Sequence, residues 1–257
     1  MRKNIHRRIA DLVEERTIFA VATVVETCGS VPAKRGARMI VFPDGSQEGT
    51  VGGAAVEKNT RQLALKAFSK GKDGLFKFGL SGNDENAGYA VCGGEVTIYI
   101  EIMKPKPHIL IFGGGHVALE VAKLCDQIEY GYSIVDDRDE FVAEERFPSA
   151  KGLFHQGVED FFADCDLKPY SHVLICTYGH QYDAEAAFGV LKNFAGHIGM
   201  IGSKAKRAEI REKLVAQGVS AELFDTIHCP VGLDIGAETP AEIAVSIVAE
   251  IIAARKL

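Results

Sequence analysis

Ile109-Leu110-Ile111-Phe112-Gly113-Gly114-Gly115-His116-Val117-Ala118 is the stretch that decides the fold. An apolar run enters a triple-glycine turn and a helix-compatible segment leaves it, the order that a dinucleotide-binding fingerprint requires. Gly113 suits the tight turn, Gly115 lets backbone approach a phosphate, and Ala118 stands where a small residue allows helix and strand to pack closely. The helix start offers unpaired N–H groups and the positive end of a macrodipole to an anion. Asp136 closes the next apolar run, Tyr132 to Val135, and is spaced so that its carboxylate can accept a ribose hydroxyl. A glycine turn that only packs is the competing reading. The strand before the turn, the helix after it and the acid at the right distance favour a phosphate site.

Beyond this turn the pattern alternates. Strands are expected over 108–112, 132–136, 151–155, 172–177 and 197–201, with helices over 116–129, 157–163, 183–193 and 204–217. Short apolar runs of this kind predict a parallel sheet covered on both faces, so the C-terminal part reads as a Rossmann-like, doubly wound α/β domain. Its last helix is announced by Thr239-Pro240-Ala241-Glu242, a capping box with proline at the first helical position. Before the turn, a short helix over 4–16 leads to strands at 18–26 and 39–42 and the turn Pro43-Asp44-Gly45-Ser46. A helix follows Gly52-Gly53, and strands at 75–78 and 96–102 complete a smaller, mostly antiparallel α+β domain. Lys104-Pro105-Lys106-Pro107 reads as the linker, which divides the chain into domains 1–104 and 105–257.

Charge shifts at the same place. Residues 1–104 carry 15 Lys+Arg against 12 Asp+Glu, and residues 105–257 carry 14 against 23, for a net charge of −6. The acidic C-terminal part argues against a nucleic-acid binder, and no apolar run reaches the roughly 18 residues needed to span a bilayer. The basic start, Met1-Arg2-Lys3, lacks the apolar core of a signal peptide, so a soluble cytoplasmic protein is expected. The six cysteines form no C-x-x-C pair and no zinc spacing.

Three loops should share the C-terminal edge of the parallel sheet, where ligands bind in such folds. They are the glycine turn with His116, the loop Cys176 to Asp183 with His180, and the loop Met200 to Arg207 with Ser203 and Lys204. His180 can serve as acid, base or hydrogen-bond donor, whereas Asp183 can also simply cap a helix. Ser203 with Lys204, Lys206 and Arg207 suits either an anion site or a capped helix with a solvated basic face. In the first domain, Ser30, Lys34 and Arg35 lie in a turn-rich loop able to wrap an anion. Gly52-Gly53 at a helix entrance, with Glu57 one turn in, offers a second such place. Cys92 beside Gly93 is sterically open, as a reactive thiol or a metal-contacting sulfur must be.

Taken in order, these stretches resemble the xanthine dehydrogenase accessory factor family, the XdhC/CoxI type, over nearly the whole chain. The resemblance rests on Gly29-Ser30…Pro32…Gly36-Ala37, Gly49-Thr50-Val51-Gly52-Gly53…Glu57 and Cys92-Gly93-Gly94-Glu95 in the first domain. In the second it rests on Gly113-Gly114-Gly115-His116-Val117, Asp136-Asp137-Arg138, His180…Asp183, Ile201-Gly202-Ser203-Lys204-Ala205-Lys206-Arg207, Pro230-Val231-Gly232-Leu233-Asp234 and Thr239-Pro240-Ala241-Glu242. Ala54 stands where the family often has a third glycine, Ala33 where arginine is common, and Tyr178-Gly179 alter the approach to His180.

The resemblance implies a maturation factor rather than an enzyme. Such a protein binds the molybdenum cofactor, molybdopterin or its dinucleotide form, and holds it for sulfuration by a cysteine desulfurase. It then passes the cofactor to a xanthine dehydrogenase-type molybdenum hydroxylase. A homodimer with the cofactor in a sheltered cleft is the corresponding expectation, with Cys92 the candidate for a molybdenum or sulfur contact on its chemistry. The alternative from the residues alone is an NAD(P)-dependent oxidoreductase, although no Tyr-x-x-x-Lys pair or other hydride-transfer constellation stands out. A regulator that binds a nucleotide without catalysis is the third reading.

Overall fold

A computed structural model describes residues 4–79 and 94–254. The chain forms two compact units, residues 1–105 and 106–255.

In the first unit, α1 (Ile5–Glu14) is followed by β1 (Phe19–Gly29), β2 (Arg38–Val41), β3 (Gln47–Gly49), α2 (Ala54–Lys70), β4 (Gly74–Gly79) and β5 (Gly94–Met103). The strands make an antiparallel sheet in the order β3-β2-β1-β5-β4. Alternation along β1 explains how both faces are covered. Ala20, Ala22 and Val24 pack with Val56, Ala64 and Ala67 of α2, while Phe19 and Val21 pack with Leu12 of α1. The β1–β5 ladder runs from Phe19↔Met103 to Gly29↔Gly94 and so fixes the base of the loop that begins at Ser30.

The second unit contains β6 (His108–Phe112), α3 (His116–Gln127), β7 (Gly131–Asp136), β8 (Gly152–His155), α4 (Val158–Asp164), β9 (His172–Ile175) and α5 (His180–Asn193). It continues with β10 (His197–Met200), α6 (Lys204–Ala216), α7 (Ala221–Phe224), β11 (Ile227–His228) and α8 (Pro240–Ala253). All six strands are parallel, in the order β11-β10-β9-β6-β7-β8. Central strand β6 is buried along its whole length. It gives Leu110 and Phe112 to a core with Phe161 of α4, Ala187 and Val190 of α5 and Leu214 of α6. Its alternate residues Ile109 and Ile111 meet Val121 and Cys125 of α3 and Ile247 and Ile251 of α8 on the other face. This is the doubly wound Rossmann-like sheet that the alternating pattern predicts, preceded by the smaller α+β unit. The capping box at Thr239 is formed as expected.

Four elements escape the sequence reading. Strand β3 has no apolar alternation, and its place is set by backbone pairing to β2. Strand β11 is two residues long, α7 is a single turn, and a 3-10 turn spans Asp139–Phe141. Helix α5 also begins at His180 instead of residue 183, with Gly179 at its cap position. Among the described residues no helix is long and apolar enough to cross a membrane.

Candidate functional site

The glycine turn leaves β6 at Phe112 and enters α3 at His116, at the C-terminal edge of the parallel sheet. Gly113 adopts φ +101°, and a side chain there would run into the Cys176 carbonyl. The carboxylate expected to meet a ribose is instead consumed within the protein. Asp136 Oδ1 accepts from the backbone N–H of Arg138 at 3.1 Å and from Arg138 Nε at 2.8 Å. Its Oδ2 accepts from the Gly114 N–H at 2.8 Å and from Arg138 Nη2 at 2.8 Å. Four donors fill the acceptor positions of one carboxylate. Burial opposes ionisation of Asp136, but the Arg138 side chain and the N–H groups of Gly114 and Arg138 outweigh it and hold the carboxyl below its ordinary range.

Two of the turn's three glycine N–H groups are therefore spent, Gly113 on the Val135 carbonyl and Gly114 on Asp136. The start of α3 is what remains for an anion. Gly115 has ordinary φ and open space beside it, and His116 is exposed.

Asp183, expected to face a ligand or cap a helix, does neither. It is fully buried in the first turn of α5. Oδ1 accepts from Thr177 N–H at 3.1 Å and from Thr177 Oγ1 at 2.8 Å, and Oδ2 forms an ion pair with Lys206. Lys206 Nζ also donates to the Ile201 carbonyl at 3.2 Å. The carboxylate thus binds the loop after β9 to the loop after β10. Ser203 caps α6 by accepting from the Lys206 N–H. Arg207 pairs with Asp225, which leaves Lys204 as an exposed cation of that loop. His180 sits on the first turn of α5, with Nδ1 3.4 Å from Glu209 of α6.

Residues to which sequence reasoning gave no site role close over the glycine turn. The Arg138 guanidinium lies 3.7 Å from the Phe141 ring centre and 4.1 Å from that of Tyr178. Tyr178 donates its hydroxyl to Asp137 at 2.9 Å, and Arg146 Nε donates to the Gly114 carbonyl at 3.0 Å. The cleft beneath, lined by Gly113, Asp137, Gln156, Thr177, Tyr178 and Tyr182, has about 20 Å³, room for little more than a water molecule. Arg138 lies two residues beyond the acid of the fingerprint, in the quoted Asp136-Asp137-Arg138 motif, which is the sequence signal that could have given it this role.

In the first unit, Ala33 packs so closely on Gly52, at φ +122°, that no side chain fits there. The loop carrying Ser30, Lys34 and Arg35 is thereby held against the Gly52-Gly53 entrance of α2, with all three side chains exposed. Glu57 is turned back into the unit, accepting from Thr50 Oγ1 at 2.5 Å and Gln47 Nε2 at 3.3 Å. Cys92 and Gly93 lie outside the described residues. Burial pushes the Cys125 thiol up to about 12 and raises that of Cys176, so neither supplies a thiolate near neutrality, while Cys28 is exposed.

Residues 109–251 match the XdhC Rossmann domain, and residues 12–79 match the XdhC and CoxI family. An uncharacterized protein of Escherichia coli K12, YqeB, is 33% identical over 252 residues, which is 97% of this chain and 46% of the relative. A Bacillus subtilis 168 protein described as a probable subunit of xanthine dehydrogenase is 30% identical over 160 residues, 62% of this chain and 46% of the relative. The chain spans about half the length of these curated relatives. A crystal structure from Bacillus halodurans, described as a xanthine dehydrogenase, shares the fold with a TM-score of 0.54 and 21% identity, covering 96% of this chain and 94% of that one.

Two outcomes follow from the buried carboxylates. Lys206→Met strands the Asp183 charge in the interior and is expected to lower unfolding free energy by about 3–5 kcal/mol, read from urea denaturation. An unchanged urea midpoint would show that the pair is not a brace. Asp136 has a folded-state pKa below its unfolded value of about 3.9, so its contribution is complete above that value and is lost as pH falls through the folded one. Asp136→Asn should therefore flatten the acid limb of the stability curve, and an acid limb as steep as in the wild type would refute the assignment.

Proposed function

The chain belongs to the XdhC and CoxI family, and from that premise we propose that it is an accessory protein for a xanthine dehydrogenase-type molybdenum hydroxylase. On this reading it binds the molybdenum cofactor as cargo, holds it for sulfuration by a cysteine desulfurase, and delivers it to the hydroxylase. The observation that carries the reading is the glycine turn of a family Rossmann domain, with the start of α3 open and Tyr178, stacked on Arg138, lining the cleft. The phosphate or nucleotide of the cofactor would lie against the N–H groups at the start of α3, beside His116, with Lys204 on the same sheet edge adding positive charge. The ring of Tyr178 would swing aside on loading, since the cleft as it stands is far too small for a pterin, while Arg138 stays on Asp136. Returning over the bound cargo, the ring would exclude water and oxygen from it. Cys92 is proposed for a sulfur or molybdenum contact on its chemistry alone.

An NAD(P)-dependent oxidoreductase finds less support. Its NAD form needs an outward carboxylate at the end of β7, and Asp136 has each acceptor position taken by an internal donor.

Pterin analysis of protein purified without oxygen from a host making the cofactor tests the proposal. Near-stoichiometric pterin is expected in the wild type. Gly115→Asp should abolish retention, because the carboxylate would stand in the anion's place. The backbone of Gly115 accepts any residue and a Cβ there meets nothing, so the variant should fold. Cys92→Ala should retain less pterin. Absence of pterin from the wild type, with NAD(H) retained in its place, would overturn the proposal.

A further inference from the structure

At the other end of the parallel sheet, three side chains from three elements converge. His197 opens β10, His228 closes β11, and Glu250 comes from the last turn of α8. We propose that these three bind a divalent transition-metal ion of the zinc class, at a site separate from the glycine turn.

The donor set is the first support. Two imidazole nitrogens and one carboxylate oxygen suit zinc, and three protein ligands leave a fourth position open. The second support is distance. Glu250 Oε1 lies 2.9 Å from His197 Nε2 and 3.1 Å from His228 Nδ1, and the three donor atoms all fall within 4.8 Å of one another. Ligand lengths of about 2.0–2.1 Å place tetrahedral donors about 3.3 Å apart, within a few tenths of an ångström of both Glu250 distances.

The third support is an unmet need. His197 Nε2 and Glu250 Oε1 are shielded from solvent, yet neither completes a hydrogen bond, although they nearly touch. Buried polar atoms are nearly always satisfied. A cation between them would satisfy both at once. The surroundings resemble an outer shell that orients ligands. The Gly232 N–H donates to Glu250 Oε2 at 2.7 Å, which turns Oε1 toward the histidines. The His172 ring stands 5.4 Å from that of His197 and is itself held by Ser171 Oγ at 2.8 Å from Nδ1. His228 is half-exposed and lines an open groove with Lys204, Arg207 and Arg211, so water can reach the fourth position.

The test uses the whole chain, stripped with a chelator and titrated with Zn²⁺ by calorimetry and with Co²⁺ by visible absorption. One ion per chain is expected, with the intense visible bands of a tetrahedral Co²⁺ centre. Glu250→Gln keeps the size of the side chain, and His228→Ala removes a half-exposed group, so the second variant should fold without metal as the wild type does. Both should weaken Zn²⁺ binding at least about tenfold. Non-saturating Zn²⁺ binding by the wild type would overturn the proposal. So would a folded His228→Ala variant that binds as tightly as the wild type, which would make the cluster a simple ion pair of Glu250 with two histidines.

Discussion

Asp136 is the point on which the glycine turn depends. Its carboxylate ends β7, reaches across to the Gly114 N–H of the turn after β6, and is itself surrounded by Arg138. One buried charge with four donors thus fixes the exit of β6, the exit of β7 and the guanidinium that covers both. Asp183 plays the same part for the next two strands, joining Thr177 after β9 to Lys206 after β10. Two internal carboxylates, each neutralised by a single cation, turn four strand ends into one rigid edge. Rigidity there matters because a site for an anion built from backbone N–H groups works only if those groups are already aimed.

This division of labour separates holding from covering. The turn and Arg138 are fixed, whereas Tyr178 covers them through a ring stacked on the guanidinium and one hydroxyl contact at the surface. Such contacts can open without disturbing the sheet. A protein that must take up, shelter and release a cargo needs that combination. The opposite end of the same sheet carries a separate cluster of histidines and Glu250, where β10 begins.

Periodicity revealed the architecture because it is set by burial. The continuous apolar run of β6 and the capping box at Thr239 leave little room for another reading, and both units follow from such runs. Strand β3 was not legible, because a strand held by backbone pairing has no side-chain rhythm. Most of the candidate residues were legible by position, but their roles were not. Asp136 has the spacing of a ribose ligand and Asp183 that of a cap, yet both are turned inward by cations, Arg138 and Lys206, whose direction no sequence pattern encodes. His197, His228 and Glu250 are scattered over more than fifty residues, and only the chain topology unites them.

Hydrogen exchange of the protein with and without bound molybdenum cofactor tests the central claim most directly. Binding is predicted to slow amide exchange in peptides covering the glycine turn and the start of α3, and in the loop carrying Tyr178. Unchanged exchange in both segments, with protection elsewhere in the chain or nowhere, would contradict it.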